Sequence, residues 1–192
     1  MQTPMHEPDP RLARTRAVVL DAATEVLSQQ GIEGFTVDAV VARSGVAKTT
    51  IYRHWPTKDE LLLAAMACFA RVESVPDTGS LRDDLLVLLG GLAHALSDEQ
   101  WSKSLPAMLE RAERHPDLAA QHLAIVKMKT APLIAVVERG RDRGEIRTDV
   151  DIELVPALFC GPLFFRRLMM RKSTSAEQVA AVVDSVLAGL AR

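Results

Sequence analysis

A short run of basic and hydrogen-bonding side chains, from Lys48 to His54, has residue types that suit contacts with nucleic acid. Lys48, Thr49 and Thr50 open the run. A lysine can donate to guanine, and the methyl group of a threonine can pack on the methyl group of thymine. For Tyr52 and His54 two interpretations stay open: an outward polar contact, or a ring wedged between helices with its polar tip in water.

Two short helices joined by a tight turn are predicted to position these side chains. Thr36 precedes a helical run from Val37 to Ser44 and has the residue type of an N-cap, whose side-chain oxygen accepts from a backbone N–H of the first turn. Gly45 tolerates the left-handed conformation that ends a helix. A second helix, Ala47 to His54, follows at once, so the segment reads as a helix-turn-helix. Apolar side chains are expected to hold the two helices together: Val37, Val40, Val41, Val46, Ile51 and Trp55.

The charge of this segment also favours a nucleic-acid partner. Between Thr36 and Lys58 there are four basic residues and one acid, Asp38, so the segment carries a net charge of +3 within a chain of −2. A basic segment on an acidic body is expected where one face meets phosphates. Because Asp38 would repel phosphate, base reading is expected from the second helix alone. Since the threonine side chains of that helix are small, DNA shape is expected to contribute to specificity.

The run from Gly31 to Leu61, GIEGFTVDAVVARSGVAKTTIYRHWPTKDEL, resembles the DNA-binding region of TetR-family transcriptional repressors. The matching features are G-x-x-x-x-T before the first short helix, A-x-x-x-G-V at the turn and T-x-Y-x-H-aromatic along the second helix. The resemblance covers about a quarter of the chain. It implies sugar-phosphate contacts by four residues: Thr36, Tyr52, His54 and Lys58. Arg43, on the preceding helix, is a further candidate.

The composition excludes several classes of protein. In 192 residues, 48% of them hydrophobic, no apolar run approaches the roughly 18 residues that span a bilayer, and no signal-peptide core opens the chain. The two cysteines fit no metal spacing, the five histidines are scattered, and no catalytic motif is present. The acid pair Asp83-Asp84 is interpreted as a first-turn charge cluster. We therefore expect a cytoplasmic protein that is not an enzyme and has no metal or cofactor.

The apolar pattern predicts an all-α fold with two lobes. Residues 1–10 are predicted to form a disordered tail, 11–56 a three-helix DNA-binding domain, and 57–192 a helical regulatory, ligand-binding and dimerisation domain. Thr57 and Glu60 have capping-box spacing, which predicts a firm helix start after Pro56. Ser175 and Gln178 repeat that spacing before the last helix.

The second lobe is expected to enclose an apolar cavity for a small hydrophobic or amphipathic effector. Such a ligand would act through its different affinity for two states of the protein. The alternative is a filled lobe that responds to a protein partner or to no ligand. The candidate lining residues are also candidates for ordinary core: Phe69, Trp101, Met108, Met128 and Phe164.

The last two helices are more apolar than one small lobe can cover, which predicts a subunit interface. The alternative is an unusually apolar helix of the core. The resemblance favours the interface, because TetR-type proteins dimerise through a four-helix arrangement of their last two helices. A homodimer would present its recognition helices to a palindromic operator, in grooves roughly 34–36 Å apart. The predicted interface residues are Phe164, Leu168, Val179, Val183, Val186 and Leu187.

Overall fold

The computed structural model of the chain describes residues 10–68 and 74–191, and within these ranges every regular element is helical. This confirms the predicted all-α class. The elements are α1 (Pro10–Gly34), α2 (Val37–Ser44), α3 (Lys48–His54), α4 (Lys58–Cys68), α5 (Leu81–Ser97), α6 (Glu99–Arg114), α7 (Pro116–Asp142), α8 (Val155–Phe164) with a π-helical turn (Phe165–Met169), and α9 (Ala176–Leu190). Most of the predicted disordered tail, and the candidate Phe69, lie outside the described residues.

The chain divides into two compact units, Met1–Phe69 and Ala70–Arg192. In the first unit, α1 packs against α2 and α4. The apolar stripe of α1 is buried, with Val19, Ala23 and Leu27 fully inaccessible to solvent. The regular helix is interrupted at Gly31, whose φ of 68° is a conformation that glycine adopts without strain.

Helix α4 begins where the sequence predicted and belongs to the first compact unit. The Oγ1 of Thr57 accepts from the backbone N–H of Glu60 at 3.1 Å, and the two side chains lie 3.2 Å apart. Leu61 and Leu62 are fully buried, and the helix packs on α1. The boundary between the compact units therefore follows α4, whereas the sequence analysis placed that helix in the second domain.

The second unit is built around α5, which packs against α6, α7, α8 and α9. Side-chain caps fix several helix starts. The Oγ of Ser80 accepts from Asp83 N at 3.3 Å, and Asp98 Oδ1 accepts from Trp101 N at 2.8 Å. Ser175 and Gln178 form the predicted capping box at the start of α9. These local motifs supply partners for backbone N–H groups that no helix can satisfy internally.

Asp83 and Asp84 both lie in the first turn of α5, as predicted, but Asp84 is also part of a buried network. Its side chain is completely buried and accepts hydrogen bonds from both the N–H and the hydroxyl of Thr78, at 2.7 and 2.8 Å. The Nη2 of Arg139, on α7, lies 2.8 Å from the same carboxylate and also donates to the carbonyl of Pro76. Burial raises the pKa of Asp84, but the donors of Thr78 and Arg139 outweigh it and leave that pKa below its ordinary value.

Further links fasten α5 to its neighbours. The backbone N–H of Leu81 donates to Glu145 Oε2 at 2.9 Å, which caps the helix from the segment after α7. Arg82 forms a two-pronged contact with Asp184 of α9, at 2.7 and 3.1 Å. The start of α5 is therefore held by residues from three separate parts of the second unit.

The π-helical turn after α8 directs two consecutive arginines to different partners. Arg166 donates to the carbonyl of Ser173 and the side chain of Gln178, while Arg167 donates to Ser102 Oγ at 2.8 Å and to the carbonyl of Leu96. The same region exposes large apolar side chains: Phe165, Met169 and Met170. Helix α8 and its extension thus contribute both to the core and to an apolar surface.

Candidate nucleic-acid interface

The turn between α2 and α3 has the predicted helix-turn-helix geometry. Thr36 is an extended N-cap whose Oγ1 accepts from Ala39 N at 3.1 Å. Gly45 ends α2 in the left-handed region, with φ 68° and ψ 5°, and its N–H donates to the carbonyl of Val41 at 2.9 Å. Helix α3 then starts at Lys48, one residue later than predicted.

Burial separates the two faces of this motif. Ile51 and Val40 are fully buried, and Trp55 is 3% exposed, so these side chains hold α3 against the unit, while Val46 is half-buried. Lys48, Thr49, Tyr52 and Arg53 are exposed, and Thr50 and His54 are half-buried. Helix α3 therefore presents a continuous polar face, as the sequence predicted.

Lys48, at the start of α3, forms an ion pair with Asp38. Its Nζ lies 2.7 Å from Oδ1 of Asp38, in the first turn of α2. The hydrogen bond that Lys48 donates to Asp38 raises the pKa of Lys48. Both side chains remain open to solvent, 48% for the lysine and 76% for the aspartate. The sequence analysis treated Asp38 only as a source of repulsion and missed this pair.

Arg43 is directed towards α1. Its Nη1 is ion-paired with Glu25, and its Nη2 donates to Gln29 Oε1 at 2.8 Å. These contacts tie α2 to α1. A phosphate contact by Arg43 would have to compete with two partners already in place. This residue is therefore a weaker DNA-contact candidate than Arg53, which is exposed on α3.

Tyr52 and His54 differ in how much of the ring is accessible. Tyr52 is 39% exposed. The ring of His54 lies 5.6 Å from that of Trp55, and its Nε2 is buried with no hydrogen-bond partner among the described residues. A DNA contact from His54 would therefore use Nδ1. The guanidinium of Arg16 lies 5.1 Å above the Trp55 ring, which places one arginine of α1 beside the motif.

A shallow groove next to the turn carries further basic residues. It is lined by the first turns of α1 and by the turn residue Val46: Arg11, Arg14, Thr15, Val18 and Val46. Clustered arginines at the start of a helix oppose the helix dipole. The groove therefore adds a second basic surface beside the turn.

The ligand candidates of the second unit fall into two groups by burial. Trp101 and Met108, two turns apart on α6, are buried at 6% and 1% exposure. Phe164 is half-buried, and Met128 is 60% exposed. The first two lie in the interior of the unit, whereas Met128 lies on its surface.

The predicted dimer residues need a correction. Val179 and Val183 are buried at 3% and 0% exposure within the subunit, because α9 packs on α5 and α8. They belong to the core and offer no surface to a partner. Val186, Leu187, Leu168 and Phe164 are half-buried and remain available. The exposed Phe165, Met169 and Met170 extend this apolar surface and were not predicted.

Within 10–68 and 74–191, no group of three or more His, Cys, Asp or Glu side chains is placed to hold a metal ion. In the same ranges no helix combines the length and the apolar character that crossing a bilayer requires.

Comparison with known families gives two matches that together span most of the chain. Residues 19–65 match the bacterial regulatory proteins of the tetR family. Residues 75–186 match the tetracyclin repressor-like C-terminal domain. The first match contains α2, α3 and most of α4, and the second extends from residue 75, ahead of α5, into α9.

Individual relatives resemble the chain over nearly its whole length. An uncharacterized HTH-type transcriptional regulator of Mycobacterium tuberculosis is 34% identical over 181 residues, covering 93% of this chain and 86% of the relative. The DNA-binding transcriptional repressor TetR of Mycobacteroides abscessus is 34% identical over 183 residues, covering 92% and 93%. The crystal structure of a TetR family transcription regulator superposes with a TM-score of 0.78 at 30% identity, covering 93% of this chain and all of that one.

Proposed function

Because the chain belongs to the TetR family of transcriptional regulators, we propose that it is a homodimeric repressor that binds a palindromic DNA operator and responds to a small ligand. The polar face of α3, supported from behind by the buried Ile51 and Trp55, is the observation that carries this proposal. Both family matches and the relatives are regulators, so the prediction that the chain is not an enzyme is confirmed. Its proposed place of action is the cytoplasm, where its DNA target lies.

The proposed DNA contacts follow from exposure and from competing partners. Lys48, Thr49 and Thr50 read base edges from the start of α3. Backbone contacts come from Thr36, Tyr52, His54 through Nδ1, and Lys58, as the family resemblance implies. Arg53 joins this group because its side chain is exposed on the same helix. Arg43 stays a candidate, although Glu25 and Gln29 compete for it.

The proposed dimer surface combines α9 with α8 and its π-helical extension. Leu187 and Val186 on α9 are half-buried, and Met169 and Phe165 are 71% and 59% exposed. Apolar surface of this kind is stabilised when a second copy covers it. Two copies joined here would bring two α3 helices to one operator.

The proposed effector is a small hydrophobic or amphipathic molecule bound in the second unit. The buried Trp101 and Met108 of α6 supply apolar side chains for its binding. A ligand of this class changes DNA binding only if it prefers one of the two states. An apolar library that produces no thermal shift would instead favour a filled lobe.

Selection of bound duplexes from a random DNA pool tests the proposed function. We expect the purified protein to enrich one palindromic sequence, whose half-sites are centred about one helical turn apart. The measurement is sequencing of the retained DNA after several rounds at moderate salt. A protein that retains no duplex at low ionic strength, without added ligand, would contradict the proposal.

Replacing Lys58 with alanine should weaken binding to every DNA sequence to a similar degree. Each lost phosphate contact lowers the slope of log K against log salt by about 0.9, and a dimer loses two such contacts. Arg114→Ala is the matched control, because it removes a cation of the second unit that pairs with Glu110. Titrations of one operator at several salt concentrations give the slopes. Equal slopes for the wild type and Lys58→Ala would remove Lys58 from the phosphate contacts.

A further inference from the structure

The ion pair between Asp38 and Lys48 lies on the exposed face where α2 meets the start of α3. Its two charged atoms are 2.7 Å apart, and both side chains are largely open to solvent. An exposed pair of this kind adds little to stability, because solvent screens the attraction and ordering two side chains costs entropy. Its position on the DNA-facing side therefore calls for a functional explanation rather than a structural one.

The pair leaves hydrogen-bonding capacity unused on both groups. An ammonium group has three N–H donors, and Asp38 takes one of those of Lys48. The carboxylate keeps further lone pairs, because one oxygen accepts from the lysine. The protein thus presents two donors and an adjacent acceptor on one small patch.

The major-groove edge of a G·C base pair is complementary to that patch. Guanine offers N7 and O6 as acceptors, and cytosine offers the N4 amino group as a donor. The O6 and N4 atoms are hydrogen-bonded to each other, so they lie about 2.9 Å apart. That spacing is close to the 2.7 Å between Lys48 Nζ and Asp38 Oδ1. An A·T pair fits less well, since the second lysine donor would face the methyl group of thymine.

We propose that Asp38 is a specificity-determining residue, and that Asp38 and Lys48 together read one G·C base pair in each half-site of the operator. Lys48 donates to O6 and N7 of guanine while Asp38 accepts from N4 of cytosine. The pair stays intact in the complex, so Asp38 directs the lysine to base edges rather than to a phosphate. This inference rests on the proposed function, because it requires α3 to enter the major groove.

Selection from the random pool with Asp38→Ala and Lys48→Ala tests the inference. We expect both variants to lose the preference for G·C at one shared position of each half-site, by about 5- to 100-fold, while the preferences elsewhere persist. Asp21→Ala is the matched control: it removes an exposed acid of α1 and should leave every position unchanged.

Two outcomes would overturn the inference, and they differ from failure of the proposed function. If Asp38→Ala selects the wild-type sequence with undiminished preferences, or binds all DNA more tightly by the same factor, Asp38 acts only through its charge. If the two variants relax different positions, the side chains do not read one base pair. A wild-type protein that enriches no duplex would instead remove the proposed function, and this inference with it.

Discussion

Replacing Asp84 with alanine is expected to lower the free energy of unfolding by about 3 kcal/mol, because it removes the closer and buried carboxylate partner of Arg139 and leaves only the exposed Asp77, at 3.5 Å. The expected loss is at the low end of the range for broken buried ion pairs, because the Arg139 side chain is 29% exposed to solvent. Thr78 also loses the acceptor of two hydrogen bonds. Urea unfolding followed by circular dichroism measures the change.

The neighbouring acid supplies the control for this experiment. The Asp83 side chain is 57% exposed, and its ion pair with Arg82 is long, at 3.8 Å. Asp83→Ala should therefore cost no more than about 0.5 kcal/mol. If both variants lost the same free energy of unfolding, the buried network would contribute no more to stability than an exposed acid in the first turn of α5.

Acidification should reveal the same network. The pKa of Asp84 is lower in the folded protein than its ordinary value of about 3.9. The contribution of Asp84 to the free energy of unfolding is therefore present above that value and is lost as the pH falls through the folded-state pKa. Asp84→Asn keeps the shape of the side chain but not its charge. Its unfolding free energy should therefore depend less on pH below about 4 than that of the wild type.

Glutamate at two positions of α9, one turn apart, should have different effects: one substitution should unfold the subunit, and the other should only separate the dimer. Val183→Glu places a charge at a fully buried site, so we expect the subunit to unfold or to lose several kcal/mol of stability. Leu187→Glu alters a half-buried position on the proposed dimer surface. It should give folded monomers whose operator affinity falls by about 100-fold or more, because the gain from two linked half-sites disappears.

Sedimentation, thermal unfolding and operator titration separate these results. Met169→Glu provides a second test of the interface, since this side chain is 71% exposed and its replacement leaves the core intact. A Leu187→Glu protein that stays dimeric, together with a dimeric Met169→Glu protein, would place the interface elsewhere. A stable, folded Val183→Glu protein would contradict the core position of that residue.

The features predicted correctly from the sequence are those determined within a few residues. Thr36 and Gly45 bound α2, and Ser175 with Gln178 opens α9, because a cap and its partner lie three or four positions apart. The apolar period likewise identified Ile51 and Trp55 as the support of α3. Local chemistry therefore predicted the recognition motif almost completely.

The features missed depend on partners that are distant along the chain. Asp84 is buried because Arg139, 55 residues later, reaches it. Lys48 pairs with Asp38 across the turn, and Arg43 turns back to Glu25 on α1. The stripe of α9 was visible in the sequence, but which of its valines face α5 depends on how the helices pack. A periodic pattern identifies an apolar face and leaves open whether the same chain or a second copy covers it.

The distance between Asp84 and Arg139 along the chain also affects how the protein matures during synthesis. The first compact unit is complete in sequence at Phe69, so it can fold while the remainder is still being made. Helix α5 cannot bury its carboxylate until the arginine 55 residues later has emerged from the ribosome, a delay of about 3 to 11 seconds at ordinary elongation rates. During that interval the first unit can already be folded, while the leucines of α5 that the finished protein buries, Leu81, Leu85 and Leu89, still lack the helices that cover them.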